Sequence, residues 1–278
     1  MLAYSPSKSP IQTDCEINLK MLYPAVSARD EFEKKLDEFL CCDVEAGSIY
    51  ELDGDRLRYR TEHLIPRKKD DRIPLLLILG NPASHSITSG MFFSPDKDGE
   101  ENRFWKHLLG RAGIKGLAFE KGLSTAERNK MRMEALLTGN YESAFRIGLC
   151  VFISLPSSAG GKWSGVAGVK RLFGKRAFDQ VMKEEIARVS KEAANFLLPN
   201  GIAVTFQKDA WNGLSSGGDY NIELARAGKL QSSFKDLPEL PIYGVPPTRL
   251  LGASREVLQK ILTHERINSV YMGTLFHC

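Results

Sequence analysis

Asn81 sits in the segment Leu79-Gly80-Asn81-Pro82-Ala83-Ser84-His85, directly after the apolar run PLLLIL at 74–79. An asparagine side chain offers one acceptor oxygen and two N–H donors, enough to orient a water molecule beside a reacting carbon. Gly80 lets the backbone approach a ligand closely, and Pro82 stiffens the loop. His85, four residues beyond Asn81, titrates near neutrality and can polarise a water or touch a phosphate, although an exposed loop histidine has the same signature. Met91-Phe92-Phe93-Ser94-Pro95 follows, and its paired rings can be buried or can stack on a flat ligand. Next comes Asn102-Arg103-Phe104-Trp105-Lys106-His107-Leu108, whose aromatics suit the buried face of a helix. Taken singly, each segment also has a plain structural reading, because Gly, Asn and Pro end strands and make turns.

Such residues need elements to hold them. PLLLIL is a short continuous apolar run that breaks at Gly80-Asn81-Pro82, as a strand buried on both faces does. Runs at 148–155, 202–206 and 240–245 have the same character, and helical stretches fall between them at 102–112, 124–137, 175–197 and 254–264. Ser124 and Glu127 form a capping box at the start of the second of these helices. Strands alternating with helices predict an α/β fold, a three-layer α/β/α sandwich around a four-stranded parallel sheet. Ligand sites in such sheets lie beyond the carboxyl ends of the strands. Upstream, Ser27 is placed to cap a helix with Phe32, Leu36, Phe39 and Leu40 on one face, and Asp53-Gly54 predicts a hairpin turn in SIYELDGDRLRYR. Residues 1–70 are therefore expected as a helix-and-hairpin extension packed on a core of residues 71–278, with one domain in all.

Composition narrows the classes. The 278 residues are 42% hydrophobic and 26% charged, which excludes disordered and fibrous chains. The N-terminus, MLAYSPSKSPIQT, lacks the apolar run of a signal peptide, and no stretch of about 18 apolar residues occurs, so a soluble intracellular protein without a membrane partner is expected. Five cysteines without a CxxC pair argue against a disulfide framework and against zinc or iron–sulfur sites. The net charge of +4 conceals an uneven distribution: residues 1–102 hold 13 basic and 19 acidic side chains, whereas residues 103–191 hold 17 and 7. Arg146, Lys162, Lys170, Arg171, Lys175 and Arg176 fall in a stretch without an acid, 143–178, and the loop SSAGGKWSG at 157–165 reads as flexible backbone able to approach phosphates. A solvated basic helix start accounts for the same charges.

Gly80-Asn81-Pro82 after an apolar strand, a loop phenylalanine, and Asn102-Arg103-Phe104-Trp105 together resemble the uracil-DNA glycosylase superfamily, closest to its mismatch-specific and thymine-DNA glycosylase branch. That branch has a G-x-N-P loop, here one residue shorter, and an N-R-F-W helix, here intact. The family's C-terminal H-P-S-P-L motif is matched by Pro246-Pro247-Thr248-Arg249-Leu250. Pro246 stands in the place of the His, Pro247 keeps the Pro, Thr248 keeps a hydroxyl for a phosphate, Arg249 replaces the second Pro, and Leu250 keeps the apolar wedge. Ser154 takes the place of a strand-end Asn that reads the pyrimidine edge in many branches, and a hydroxyl cannot supply an amide's paired donor and acceptor. The likeness runs from about residue 73 to residue 262.

The resemblance implies a monomeric, monofunctional DNA glycosylase of base excision repair, working on DNA with a damaged or mispaired base and needing no metal or other cofactor. Asn81 and His85 would be catalytic; Gly80, Pro82, Phe92, Phe93 and Ser154 would surround the extruded base; Lys162, Pro247, Thr248, Arg249 and Leu250 would hold DNA. The enzyme would lie with its DNA, in the cytoplasm or, in a eukaryote, the nucleus. Two other classes fit the same pattern: a noncatalytic nucleic-acid-binding protein of this fold, and a nucleotide or nucleoside hydrolase. Neither GxGxxG after the first core strand nor GxxxxGK[ST] is present, which argues against dinucleotide and P-loop chemistry.

Overall fold

A computed structural model describes residues 2–7, 9–95, 100–119 and 122–275. The elements begin with β1 (Leu2–Pro6), β2 (Gln12–Asn18), the single turn α1 (Leu19–Leu22), α2 (Val26–Cys42), β3 (Tyr50–Asp53), β4 (Arg56–Leu64), β5 (Ile73–Leu79) and α3 (Ser84–Thr88). A π-helix (Phe104–Leu109) runs into a 3-10 turn (Gly110–Ala112) and is followed by α4 (Thr125–Thr138), β6 (Phe145–Val151), α5 (Gly165–Phe173) and α6 (Lys175–Leu197). The chain finishes with β7 (Ile202–Thr205), α7 (Lys208–Leu214), α8 (Ile222–Ala227), β8 (Gln231–Ser233), β9 (Pro241–Gly244) and α9 (Leu251–Leu275). The fold is mixed α/β with parallel and antiparallel strand pairs. No helix among the described residues is long and apolar enough to cross a membrane. Two compact units divide the chain: residues 1–64, 80–98 and 150–189 in one, residues 65–79, 99–149 and 190–278 in the other.

The second unit orders its strands β6-β5-β7-β9-β8. β5 pairs in parallel with β7, and β7 with β9, while the short β8 runs antiparallel to β9. Leu75, Leu76, Leu77 and Ile78 are wholly buried, and β7 buries all four of its residues. Loss of alternation is what a strand covered on both faces requires. Each such side chain contributes ~1.5–3 kcal/mol by leaving water, so this run anchors the loop that follows it. α4 begins as expected, with the reciprocal Ser124 and Glu127 bonds of a capping box.

The first unit is an antiparallel sheet, β1-β2-β4 with β3 on the other side of β4. Its register lines Tyr4, Cys15, Tyr59 and Tyr50 in one cross-strand row, all buried except the half-buried Tyr4, while the next row, Glu16, Arg58 and Glu51, is the charged one. This is the period-two alternation of a half-covered sheet. The predicted hairpin at Asp53-Gly54 is present as the β3–β4 turn.

Several expectations need correction. The polar start of the chain forms β1 and β2, whose short alternation leaves only Cys15 and Ile17 as buried markers among their described residues. α2 starts at Val26 behind Ala25, with no side-chain cap, so Ser27 lies inside the helix. Phe32, Leu36 and Phe39 are buried as expected, whereas Leu40 is half-buried. The loop expected to be flexible at 157–165 contains buried Ser157 and Trp163 and leads directly into α5.

Candidate functional site

The chain leaves β5 through Gly80, whose carbonyl accepts hydrogen bonds from Phe152 N–H (2.9 Å) and Ile153 N–H (3.2 Å). Ser157 N–H donates to the Pro82 carbonyl and Ser84 N–H to the Ser157 carbonyl, both at 3.0 Å, so residues 80–84 are stitched to residues 152–157. Asn81 stands inside this seam, half-buried. Its Nδ2 donates to Ser157 Oγ at 2.8 Å and to the Leu155 carbonyl at 3.2 Å, with the Pro82 carbonyl at 3.4 Å. Two of these three partners are carbonyls, which only accept, and that determines which end of the amide is nitrogen. Oδ1 makes no hydrogen bond among the described residues. The amide is thus a fixed acceptor just past a strand buried on both faces.

Ser157 is the functional candidate that sequence reasoning missed. Its hydroxyl oxygen accepts from Asn81 Nδ2 and, at 2.8 Å, from Gly165 N–H, the first residue of α5. One buried oxygen therefore couples the start of a helix to the Asn81 amide. A Ser-Ser pair just past a strand end was the available signal, and the surrounding glycines hid it.

His85 lies in the first turn of α3 with Nε2 3.1 Å from the Ser94 carbonyl, so it ties α3 to the phenylalanine loop. The two rings of that loop part company. Phe92 is 1% exposed and belongs to the core, while Phe93 is half-buried with φ +49°. A non-glycine residue in the left-handed region is held there at a cost of about 1–2 kcal/mol, and Phe93 is the ring of the pair that can reach a flat ligand.

Ser154 is placed differently from expectation: it is completely buried, and its hydroxyl meets Glu185 Oε1 and, at 2.7 Å, the Tyr59 hydroxyl. Glu185 Oε1 also accepts Ser154 N–H at 2.7 Å, and its Oε2 takes bonds from Arg188 Nε (2.8 Å) and the Tyr4 hydroxyl (3.1 Å). Arg188 continues to the Val151 carbonyl at 2.6 Å. Burial, reinforced by Glu185, pushes the Tyr4 phenol up, and burial does the same to Tyr59, so both stay neutral donors. With its hydroxyl engaged on both sides inside this network, Ser154 ties β6's exit to α6 and β4 and presents no open edge to a base.

Lys162 pairs with Glu38 of α2, and its ammonium also lies 5.1 Å from the Trp163 ring centre. That charge is already balanced. In the second unit, Pro246 is buried, Pro247 to Leu250 form a turn closed by Leu250 N–H on the Pro247 carbonyl (2.7 Å), and the Ser254 hydroxyl lies 2.9–3.0 Å from the carbonyls of Pro246, Pro247 and Leu250. Arg249 is exposed there, while Thr248 and Leu250 are half-buried.

Asn102, Phe104 and Trp105 are structural. Asn102 Oδ1 accepts Phe104 N–H at 2.9 Å, Phe104 and Trp105 are buried, and Arg132 stacks 4.5 Å from the Trp105 ring centre. Arg132 makes a bidentate pair with Glu101 (2.8 and 2.7 Å) and bonds the Leu117 carbonyl. Burial lowers its pKa to about 10, against the pull of Glu101, so it remains charged at neutral pH.

An open concavity of about 710 Å³ covers the N-terminal strands, bordered by Asp14, Glu16, Ser48, Arg58 and Arg60. Arg58 is paired with Glu16 and Asp53, and Arg60 with the Ser48 carbonyl, so its cations are already occupied. No protein-family model matches this sequence, and no curated protein matches it either.

Proposed function

We propose that the chain is a monofunctional DNA glycosylase of the uracil-DNA glycosylase superfamily, hydrolysing the N-glycosidic bond of a flipped uracil or another deaminated or mispaired base. The observation that carries this reading is the Asn81 amide, whose nitrogen is fixed by three acceptors while its oxygen is left without a partner among the described residues. The same reading includes a three-layer sandwich with β6, β5, β7 and β9 as a four-stranded parallel centre, a monomer, and residence with DNA inside the cell.

A base in a duplex is out of reach, so it is extruded at a cost of a few kcal/mol that is least for a mispair. Phe93 stacks on the extruded base, and Asn81 Oδ1 accepts a hydrogen bond from a water placed below the anomeric carbon. The water oxygen bonds to that carbon as the glycosidic bond breaks, its electron pair leaves with the base, and the water's proton passes to solvent. Asn81 positions the water but cannot take its proton, so catalysis rests on placement and electrostatics, and turnover is slow. His85, through Ser94, keeps the Phe93 loop in place.

A noncatalytic nucleic-acid-binding protein is the second reading, favoured by the enclosure of Ser154 and by a Gly80-Asn81-Pro82 loop one residue short of the family pattern. Labelled duplex and single-stranded oligonucleotides carrying uracil, hypoxanthine, xanthine or a G·T mismatch, incubated with the protein and then treated with alkali, separate the two. Strand cleavage that Asn81→Ala reduces at least a hundredfold, with binding retained, is expected. Absence of cleavage across the panel leaves the binding protein, and release of base from free nucleosides instead indicates a nucleoside hydrolase.

A further inference from the structure

Arg103, Lys106, His107 and Arg111 recur at the spacing of one helical face, opposite the buried Phe104, Trp105, Leu108 and Ala112. Arg103, Lys106 and Arg111 are exposed, and none of their side chains makes an ion pair or hydrogen bond among the described residues. α9 packs against both the π-helix and the 3-10 turn and adds Arg255, whose only described acid is the exposed Glu256 at 3.3 Å. His107 reports the local field: partial burial first, then Arg111, Lys106, Arg103 and Arg255, hold its imidazolium below the usual histidine range. Among the described residues, Glu256 beside Arg255 is the one acid paired with these four cations.

We propose that this basic face of the π-helix, completed by Arg255, is a docking surface for the sugar-phosphate backbone of duplex DNA. The inference rests on the DNA reading of the Asn81 site for its choice of polyanion. From Arg103 to Arg111 the stripe runs the length of the π-helix and into the 3-10 turn, a span that reaches about three successive phosphates of one strand. Guanidinium groups suit phosphate because they can donate two parallel hydrogen bonds. The turn carrying the exposed Arg249 leads straight into α9, so a backbone gripped at that turn continues toward Arg255. Contacts of this kind carry affinity and register without base specificity.

The test is fluorescence anisotropy of an undamaged 20-base-pair duplex between 50 and 200 mM salt, with the full chain. The variant Arg103→Gln, Lys106→Gln, Arg111→Gln is compared with Lys20→Gln, Lys34→Gln, Lys229→Gln, which removes the same charge from exposed positions elsewhere. The face variant is expected to bind about tenfold more weakly at 100 mM salt and to lose about 2 to 3 from the slope of log K against log salt, at ~0.9 per phosphate contact. The control variant is expected to change less than twofold. Equal binding by the face variant, while the wild type binds and excises, overturns the surface and leaves the glycosylase reading standing. Binding lost in the face variant, with no lesion excised by the wild type, supports the surface and sinks the glycosylase reading. Binding to phosphatidylserine vesicles but not to duplex overturns DNA as the occupant.

Discussion

Glu62 of β4 lies directly opposite Gln12 of β2, is 2% exposed, and has an Oε1 without a hydrogen-bond partner. Gln12, on the same face, donates its amide to the Ile87 carbonyl of α3 at 2.7 Å. Burial pushes the Glu62 carboxyl well above its ordinary 4.5, because ionisation would leave a charge in the interior with nothing to pair it. The unfolded chain releases this proton near pH 4.5, while the folded chain retains it. Its contribution to stability is therefore complete below 4.5 and declines as the pH rises, by ~1.4 kcal/mol per unit, until the folded carboxyl ionises. Two pH units of that slope amount to about 2.7 kcal/mol. Glu62→Gln keeps the shape and has no proton to release. Any penalty for an unsatisfied amide, about 1–3 kcal/mol, is the same at every pH. Urea unfolding followed by tryptophan fluorescence, run on both proteins from pH 5 to 6.5, is expected to show their difference moving in favour of the variant by ~1.4 kcal/mol per pH unit. A difference that stays constant over this window refutes the reasoning, since it means that Glu62 titrates alike in the folded and unfolded chain.

Ser157→Ala removes the acceptor shared by Asn81 Nδ2 and Gly165 N–H. Single-turnover excision is expected to slow about tenfold, the equivalent of one hydrogen bond, with KM little changed and Ser157→Thr recovering most of the rate; an unchanged rate removes Ser157 from the positioning of Asn81. Glu185→Ala leaves the Arg188 guanidinium and the Ser154 N–H and hydroxyl without their carboxylate, and should cost ~3–5 kcal/mol in a denaturation midpoint, with Glu185→Gln costing less. Equal midpoints for Glu185→Ala and the wild type would show that the network carries no stability.

Several elements were legible because their signals are local and strong. PLLLIL is apolar at every position, the Ser124 and Glu127 pair marks a helix start by side-chain reach alone, and 175–197 repeats its apolar residues at helical spacing. β8, three residues long, gave no such signal, and β1 and β2 carry too few apolar positions to stand out from a polar leader. Their pairing depends on backbone hydrogen bonds, to which every residue except proline contributes equally. The π-helix illustrates the boundary between the two kinds of information: the spacing of Phe104, Trp105 and Leu108 predicts a buried helical face, but Arg132, which stacks on Trp105 and pairs with Glu101, comes from 27 residues farther along the chain.

The candidate site divides along the same line. Residue types and their spacing by themselves determined that Asn81 follows a strand buried on both faces, that His85 and the Phe92-Phe93 pair lie close by in the chain, and that basic residues concentrate after position 102. Only the tertiary structure decided that Phe92 is buried and Phe93 half-buried, that Ser154 is enclosed by Glu185 and Tyr59, that Lys162 is balanced by Glu38, and that the Leu155 and Pro82 carbonyls determine which way the Asn81 amide points. A residue's type states which hydrogen bonds and charges it can offer. Which of them remain available depends on partners 31 to 124 residues away along the chain, and only folding brings those into reach.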